Sequence, residues 1–138
     1  MDADYEAFLR SKLRLAPTSG LDIGTHELSK TLKSHQRLIA EWMIAGGRRA
    51  CFAAFGLGKS VIQLEVLRAI TELVGGRALI VAPLGVRQEF KRDATELLGW
   101  AEPPKFIRSI EAATATGIYL TNYETVRDGK LDPREFTA

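Results

Sequence analysis

The amino-acid sequence predicts an α/β fold built on a mostly parallel sheet. Strand-like and helix-like segments follow one another in the order strand, helix, strand, helix, strand, strand, helix. The run at residues 78–82 is apolar throughout and ends at Pro83, as expected of a strand that is buried on both faces. Glycine pairs at residues 46–47 and 75–76 mark the ends of two helices. Right-handed crossovers should then place helices on both faces of the sheet.

Five helices are predicted from the spacing of apolar residues and from signals at helix ends. Residues 3–14 carry an amphipathic stripe formed by Tyr5, Phe8, Leu9 and Leu13. Ser34 is placed to cap a helix that runs to about residue 45, and Asn122 to cap a short helix near the C-terminus. Two longer helices are expected at residues 60–74 and 85–98. The second of these has one apolar face, formed by Val86, Phe90, Ala94 and Leu97.

The strands are predicted at residues 49–53, 78–82, 106–107 and 118–120. Cys51 lies in the first of them, so we expect a packed, buried thiol there. Residues 16–29 contain proline and glycine and are expected to form an irregular connection. Ligands of parallel sheets bind at the carboxyl ends of the strands, so the segments that follow the strands should share one edge of the molecule.

Length and composition limit the class of protein. At 138 residues, with 46% hydrophobic and 26% charged residues, the chain is expected to form one ordinary globular domain. It has no apolar run near 18 residues long, which excludes a transmembrane helix at the level of sequence. The single cysteine cannot form an internal disulfide and fits a reducing cytoplasm. The net charge of +2 permits a nucleic-acid partner without establishing one.

Residues 53–60 have the pattern of a phosphate-binding loop between a strand and a helix. Gly56 and Gly58 let the backbone turn, so that its N–H groups can converge on phosphate oxygens. Lys59 can reach the outer phosphates of a nucleotide, and the Ser60 hydroxyl can ligate Mg²⁺, so these two are the predicted catalytic residues. The nucleotide-binding residues predicted from the loop are Ala53, Gly56, Leu57, Gly58, Lys59 and Ser60. Ala53 stands where the strict pattern has glycine, and the alternative interpretation is a glycine-rich turn that binds nothing.

Three further segments surround the loop, at residues 32–36, 78–83 and 119–124. Their order resembles that of the first RecA-like lobe of superfamily 2 helicases and translocases, especially the Swi/Snf-like branch and its phage relatives. The resemblance covers most of residues 32–127, and the order of the segments is more specific than any one of them. The chain is therefore expected to divide into the N-terminal helix and irregular connection at residues 1–31 and, as the resemblance implies, a partial RecA-like ATP-binding lobe at residues 32–138.

The resemblance also implies roles for individual residues. Gln36 resembles the glutamine of the Q motif, whose carboxamide pairs with the adenine edge of ATP. Two groups resemble motifs Ia and Ib, which contact the nucleic-acid backbone: Pro83, Leu84 and Gly85, and Thr121, Asn122 and Tyr123. Local sequence alone fits equally well with an ordinary strand end at Pro83 and a core tyrosine at Tyr123. ATP, Mg²⁺ and DNA are the implied ligands.

The chain departs from this family in two ways. Ala53, Ala54 and Phe55 stand where Swi/Snf-like loops carry acidic residues, and no Asp-Glu motif follows the last predicted strand. The later acidic residues lie in turn-like sequence, and the chain stops at Ala138, about where that strand would begin. Arginine fingers of a second lobe are also missing, and phosphoryl transfer depends on such groups. We therefore expect the ATP-binding portion of a cytoplasmic DNA helicase or translocase that does not turn over ATP by itself.

Two other functions fit the same loop. A stand-alone nucleotide-binding module, which regulates a partner without turnover, would need no Asp-Glu motif. A small kinase of the phosphate-binding-loop class would need a lid with arginines and a second substrate pocket, and neither is recognisable in the sequence.

Overall fold

Three parallel strands form the sheet in the computed structural model, which describes residues 3–12 and 17–138. The strands are β1 (Arg77–Val81), β2 (Lys105–Phe106) and β3 (Gly117–Thr121). The α-helices are α1 (Ala3–Lys12), α2 (Ser34–Gly46), α3 (Lys59–Val74), α4 (Arg87–Arg92) and α5 (Tyr123–Arg127). β3 lies in the centre, with Arg77 of β1 paired with Gly117 and Lys105 of β2 paired with Tyr119. The predicted α/β class and parallel sheet are confirmed.

One face of the sheet packs against α3 and the helical segment that contains α4. Ile80 of β1 and Leu120 of β3 are buried there against Leu64 of α3 and Phe90 of α4. Burying a side chain of this size contributes about 1.5–3 kcal/mol relative to leaving it in water. This contact fixes the N-terminal end of α3, and with it the glycine-rich loop, relative to the carboxyl end of β1.

The sequence had led us to expect helices on the opposite face, but short segments cover it instead. Tyr119 and Ile107 are buried on this side with Leu131, and Phe136 packs against them. The ring of Phe136 meets that of Tyr119 edge-on, with centroids 6.3 Å apart. The prediction of helices on both faces is therefore not fulfilled by the part of the chain that the structure describes.

Helix α2 lies against α3 and buries Ala40 and Ile44 against Ile62 and Val66. Leu28 and Leu32 join this cluster and are also buried, so the connection before α2 is part of the core from residue 28 onward. Gly47 ends α2 at a φ of 77°, a conformation that glycine adopts without a steric penalty. The helix begins at Ser34, with Lys33 in the capping position instead of Ser34.

A buried carboxylate fastens the same connection to α3. Glu65 is fully buried and accepts hydrogen bonds from the Ser29 amide at 2.6 Å and from Arg68 Nε at 3.0 Å. Arg68 also donates to the carbonyl of Glu27 at 3.1 Å and to the carboxylate of Glu72. The hydrogen bonds that Arg68 donates to Glu65 and then to Glu72 raise the pKa of Arg68 above its ordinary value. The charge of Glu65 is therefore compensated inside the protein.

Residues 49–53 do not form the predicted strand. The free edge of β1 is occupied instead by the C-terminal residues, since the Thr137 amide donates to Arg77 O and the Leu79 amide to Ala138 O, both at 2.8 Å. An extended segment without a partner leaves its backbone groups unpaired, and is not stable as a strand. Phe52 is 97% exposed and Cys51 is only partly buried, so the prediction of a buried strand with a packed thiol is wrong.

Two helical predictions need correction. Helix α1 is confirmed up to Lys12, while Leu13 lies outside the described residues, and Tyr5 and Phe8 of its apolar stripe are about half exposed. The predicted helix at residues 85–98 is a 3₁₀ turn (Leu84–Val86), α4 and a π-turn (Asp93–Leu97). The amide of Leu98 donates to the carbonyl of Asp93, five residues back. This wider turn carries Leu97 off the apolar face, and its side chain is 52% exposed.

Within the described residues, no helix combines the length and the apolar character that crossing a bilayer requires.

Candidate functional site

The glycine-rich loop turns back on itself immediately before α3. Gly56 and Gly58 have φ angles of 78° and 72°, in the left-handed region that other residues enter only at a cost. Gly58 is the N-cap of α3, and its carbonyl accepts the Ile62 amide at 3.1 Å. The helix therefore directs its free N-terminal amides, the positive end of its dipole, toward the loop.

The Lys59 side chain lies within the loop. Its ammonium group donates to the carbonyls of Ala53 at 2.9 Å and Ala54 at 3.1 Å, and lies 5.3 Å from the ring centroid of Phe55. The Phe55 ring is fully exposed. An ammonium group has three donors, so Lys59 can exchange these neutral carbonyls for anionic phosphate oxygens, to which hydrogen bonds are stronger. Ala53 thus contacts the Lys59 ammonium group through its carbonyl.

Gln36 connects α2 to the loop. Its carboxamide oxygen accepts the Lys33 amide at 2.9 Å, and its Nε2 donates to the Leu57 carbonyl at 3.2 Å. His35 lies beside it, with Nε2 at 3.4 Å from the same carbonyl oxygen. Gln36 is 8% exposed. This residue, which resembles the Q-motif glutamine, therefore contacts the glycine-rich loop, but much of its hydrogen-bonding capacity is used by backbone groups.

Gln36, Lys59 and the two glycines line a cavity of about 880 Å³, which lies within the range of small-molecule sites. The loop forms one wall, through Gly56, Gly58, Lys59 and Ser60, and the carboxyl end of β1 forms another, through Val81, Ala82 and Pro83. Gln36 and Tyr123 also line the cavity. The expectation that the loop and the segments after the strands share one edge holds for the loop and Pro83, although the loop follows no strand. Thr121 and Asn122 do not line the cavity, whereas the adjacent Tyr123 does.

The sequence did not reveal the part of Asp93. The Ser60 hydroxyl donates to Asp93 Oδ2 at 2.5 Å, and Asp93 is 5% exposed in the wall of the same cavity. Asp93 begins the π-turn, and such turns are frequent at functional sites. The sequence predicts that Asp93 is a solvated residue of an α-helix. The only signal that it could be buried was its three-residue spacing from the apolar Phe90.

The charge of the cavity is divided between its walls. Lys33, Lys59 and the N-terminus of α3 make one side positive, while Glu89, Asp93 and Glu96 lie along the helical segment 84–97. A triphosphate would be attracted to the first side and repelled by the second, unless a divalent cation lay between them.

The oxygen donors of the site fit Mg²⁺. This ion usually binds one or two protein oxygens and completes its coordination with phosphates and waters, which matches a single hydroxyl at the start of α3. Within residues 3–12 and 17–138, no group of three or more His, Cys, Asp or Glu side chains is arranged to hold a metal by itself. Ser60 is thus the residue of the loop that could hold Mg²⁺, together with a bound nucleotide.

The residues predicted to contact nucleic acid differ in accessibility. Pro83, Leu84 and Gly85 are exposed at the end of β1. Thr121 is 2% exposed, and its hydroxyl donates to the Ile107 carbonyl at 2.9 Å, so this side chain is not presented to a ligand.

Asn122 caps α5, as predicted, because its side-chain oxygen accepts the Thr125 amide at 3.2 Å. Tyr123 is 57% exposed at the rim of the cavity, and is not a core residue.

Comparison of the chain with protein-family models, with curated proteins and with solved structures finds no match.

Proposed function

We propose that this chain binds ATP as its Mg²⁺ complex and is the ATP-binding portion of a RecA-like lobe in a DNA helicase or translocase. The observation that carries the proposal is the convergence of Gln36, the loop and the carboxyl end of β1 on one cavity. The left-handed glycines and the N-terminus of α3 give that cavity an anion-binding wall. The resemblance in segment order supports the family, and the parallel sheet is compatible with it.

Each residue of the site then has a role in binding. The loop amides and the N-terminus of α3 hold the β-phosphate, and Lys59 leaves the Ala53 and Ala54 carbonyls for the outer phosphates. Ser60 would hold Mg²⁺, which would supply positive charge to neutralise the phosphates beside the acidic wall. Gln36 holds the loop through Leu57 and offers its remaining donor capacity to the adenine edge.

A nucleotide-binding module without turnover is a second candidate, and the acidic residues near the C-terminus favour it. The carboxylate of Asp132 accepts hydrogen bonds from the guanidinium group and then from the backbone amide of Arg134, and these lower the pKa of Asp132. It therefore serves a local turn, and it does not line the cavity. Hydrolysis would need a group that polarises the attacking water, and Asp132 does not lie where it could do so.

Titration with a fluorescent ATP analogue in Mg²⁺ tests the proposal. Lys59→Ala should weaken binding roughly 10- to 150-fold, the equivalent of about 1.5–3 kcal/mol for a hydrogen bond to a charged group. Lys130→Ala, which removes the same charge from an exposed residue outside the cavity, should leave the affinity unchanged. Equal affinities of wild type and Lys59→Ala would show that the loop is a structural turn that does not bind the nucleotide.

A further inference from the structure

We infer that Asp93 is the positioning residue for the metal ligand Ser60. By accepting the Ser60 hydroxyl proton in a hydrogen bond, its carboxylate leaves the Ser60 oxygen lone pairs free for the Mg²⁺ of a bound nucleotide. The inference rests on the proposed function and adds to it a residue that neither the loop pattern nor the family resemblance assigns.

The hydrogen-bond geometry supplies the first argument. A serine hydroxyl has one proton and two lone pairs, and it ligates a cation only when its proton points elsewhere. Asp93 Oδ2, at 2.5 Å from Ser60 Oγ, fixes that proton on the side of the helical segment 84–97. Ligands oriented by such outer partners hold their metals more tightly, because the oxygen is already turned toward the ion.

The burial of the Asp93 charge supplies the second argument for this inference. Its side chain is 7% exposed, and the only cation within 4 Å among the described residues is the guanidinium of Arg92, at 3.4 Å on a side chain that is 59% exposed. A buried carboxylate with so little compensation is costly. A divalent ion on Ser60 would lie close to this carboxylate, so metal binding would relieve the cost and the charge would increase the affinity for the metal.

The backbone conformation at Asp93 supplies the third argument for this inference. Asp93 begins the π-turn in which the Leu98 amide donates to the Asp93 carbonyl at 3.1 Å. The turn follows Phe90 and contains Ala94, which are both buried against the sheet. These anchors hold the Asp93 carboxylate in the cavity wall opposite the N-terminus of α3.

The test compares affinities for a fluorescent ATP analogue in Mg²⁺ and in EDTA, and takes their ratio as the metal enhancement. Asp93→Ala should reduce this ratio about 10-fold or more, the usual effect of removing an outer partner of a metal ligand. Asp93→Asn, which keeps an acceptor for the hydroxyl but loses the charge, should give a smaller reduction. Asp128→Asn makes the same chemical change outside the cavity and should leave the ratio unchanged.

Asp93→Ala should reduce the ratio less in a Ser60→Ala background than in the wild type, because the part of its effect that is exerted through the Ser60 hydroxyl is already lost there. A purely structural Asp93 would weaken binding equally in Mg²⁺ and EDTA, and an unchanged ratio in both Asp93 variants would overturn the inference. If Asp93→Ala does not fold, Asp93→Asn decides by the same ratio. Absence of binding by the wild type in either condition would instead refute the proposed function.

Discussion

Alanine at Gly58 and at Gly56 should destabilise the protein by different amounts, although the two glycines have nearly the same backbone conformation. Their φ angles are 72° and 78°. A Cβ built on Gly58 would lie 2.3 Å from Gln36 Nε2, whereas one on Gly56 would meet no heavy atom of the described residues within 4 Å. The pair therefore separates the backbone cost from the cost of displacing Gln36.

The backbone cost of a left-handed alanine is about 1–2 kcal/mol, and it is shared by both variants. Gly58→Ala must also move the end of the Gln36 side chain and break its hydrogen bond to the Leu57 carbonyl. A neutral hydrogen bond contributes about 0.5–1.5 kcal/mol net. The free energy of unfolding of Gly58→Ala should therefore be lower than that of Gly56→Ala by about 1 kcal/mol.

Urea denaturation of the two variants, with and without Gln36→Ala in the background, measures this difference. In the Gln36→Ala background the two substitutions should have equal effects, because the displaced group is no longer there. If they already have equal effects in the wild-type background, Gln36 does not hold the loop at Leu57, and the connection that we describe between α2 and the loop is wrong.

Three other outcomes are expected from the structure and from the proposed function. Glu65→Ala should lower the free energy of unfolding by about 3–5 kcal/mol, as expected when one partner of a buried ion pair is removed. Glu72 lies at the half-exposed end of the same network, so Glu72→Ala should lower the free energy of unfolding by no more than about 1 kcal/mol. Thermal or urea denaturation distinguishes them, and equal losses would contradict the role of burial. Gln36→Ala should weaken binding of ATP more than binding of GTP, and equal losses in competition titrations would leave Gln36 only its contact with the loop. Binding of DNA oligonucleotides should be weak, with a shallow salt dependence, and Tyr123→Ala should weaken it further. A steep salt dependence that neither Asn122→Ala nor Tyr123→Ala changes would show that DNA contacts a basic surface instead.

The longest elements were predictable because their signals are local. Helix α3 carries an apolar face over four turns between two glycines, and residues 78–81 of β1 belong to an apolar run that ends before Pro83. Asn122 offers its carboxamide three residues before Thr125, which is enough to define the start of α5. In these cases the residues that determine the structure are also neighbours in sequence.

The failures arise where the outcome depends on distant partners. Residues 49–53 have the composition of a strand, but the free edge of β1 is bonded to Thr137 and Ala138. Thr121 follows the pattern of a ligand-binding strand end, yet its hydroxyl donates a hydrogen bond to the carbonyl of Ile107 on the neighbouring chain segment. Neither pairing can be read from local periodicity.

Asp93 was missed for a related reason. An α-helical pattern with Phe90, Ala94 and Leu97 on one face gives an aspartate at residue 93 no special role, and only the π-turn brings its carboxylate beside Ser60. Apolar spacing contains no signal for a single wider turn, so a residue that depends on that turn cannot be assigned before the structure is known.

Mapping of the bound nucleotide by backbone amide NMR tests the central claim most directly. Addition of MgATP to the isotopically labelled chain should shift the amides of Gly56, Gly58 and Lys59 more than any others, because these N–H groups would contact phosphate oxygens. A second cavity, of about 500 Å³ and lined in part by Arg68 and Lys105, provides the internal comparison. Largest shifts in the loop are the result that the account predicts; largest shifts around the second cavity, with the loop unmoved, would contradict it.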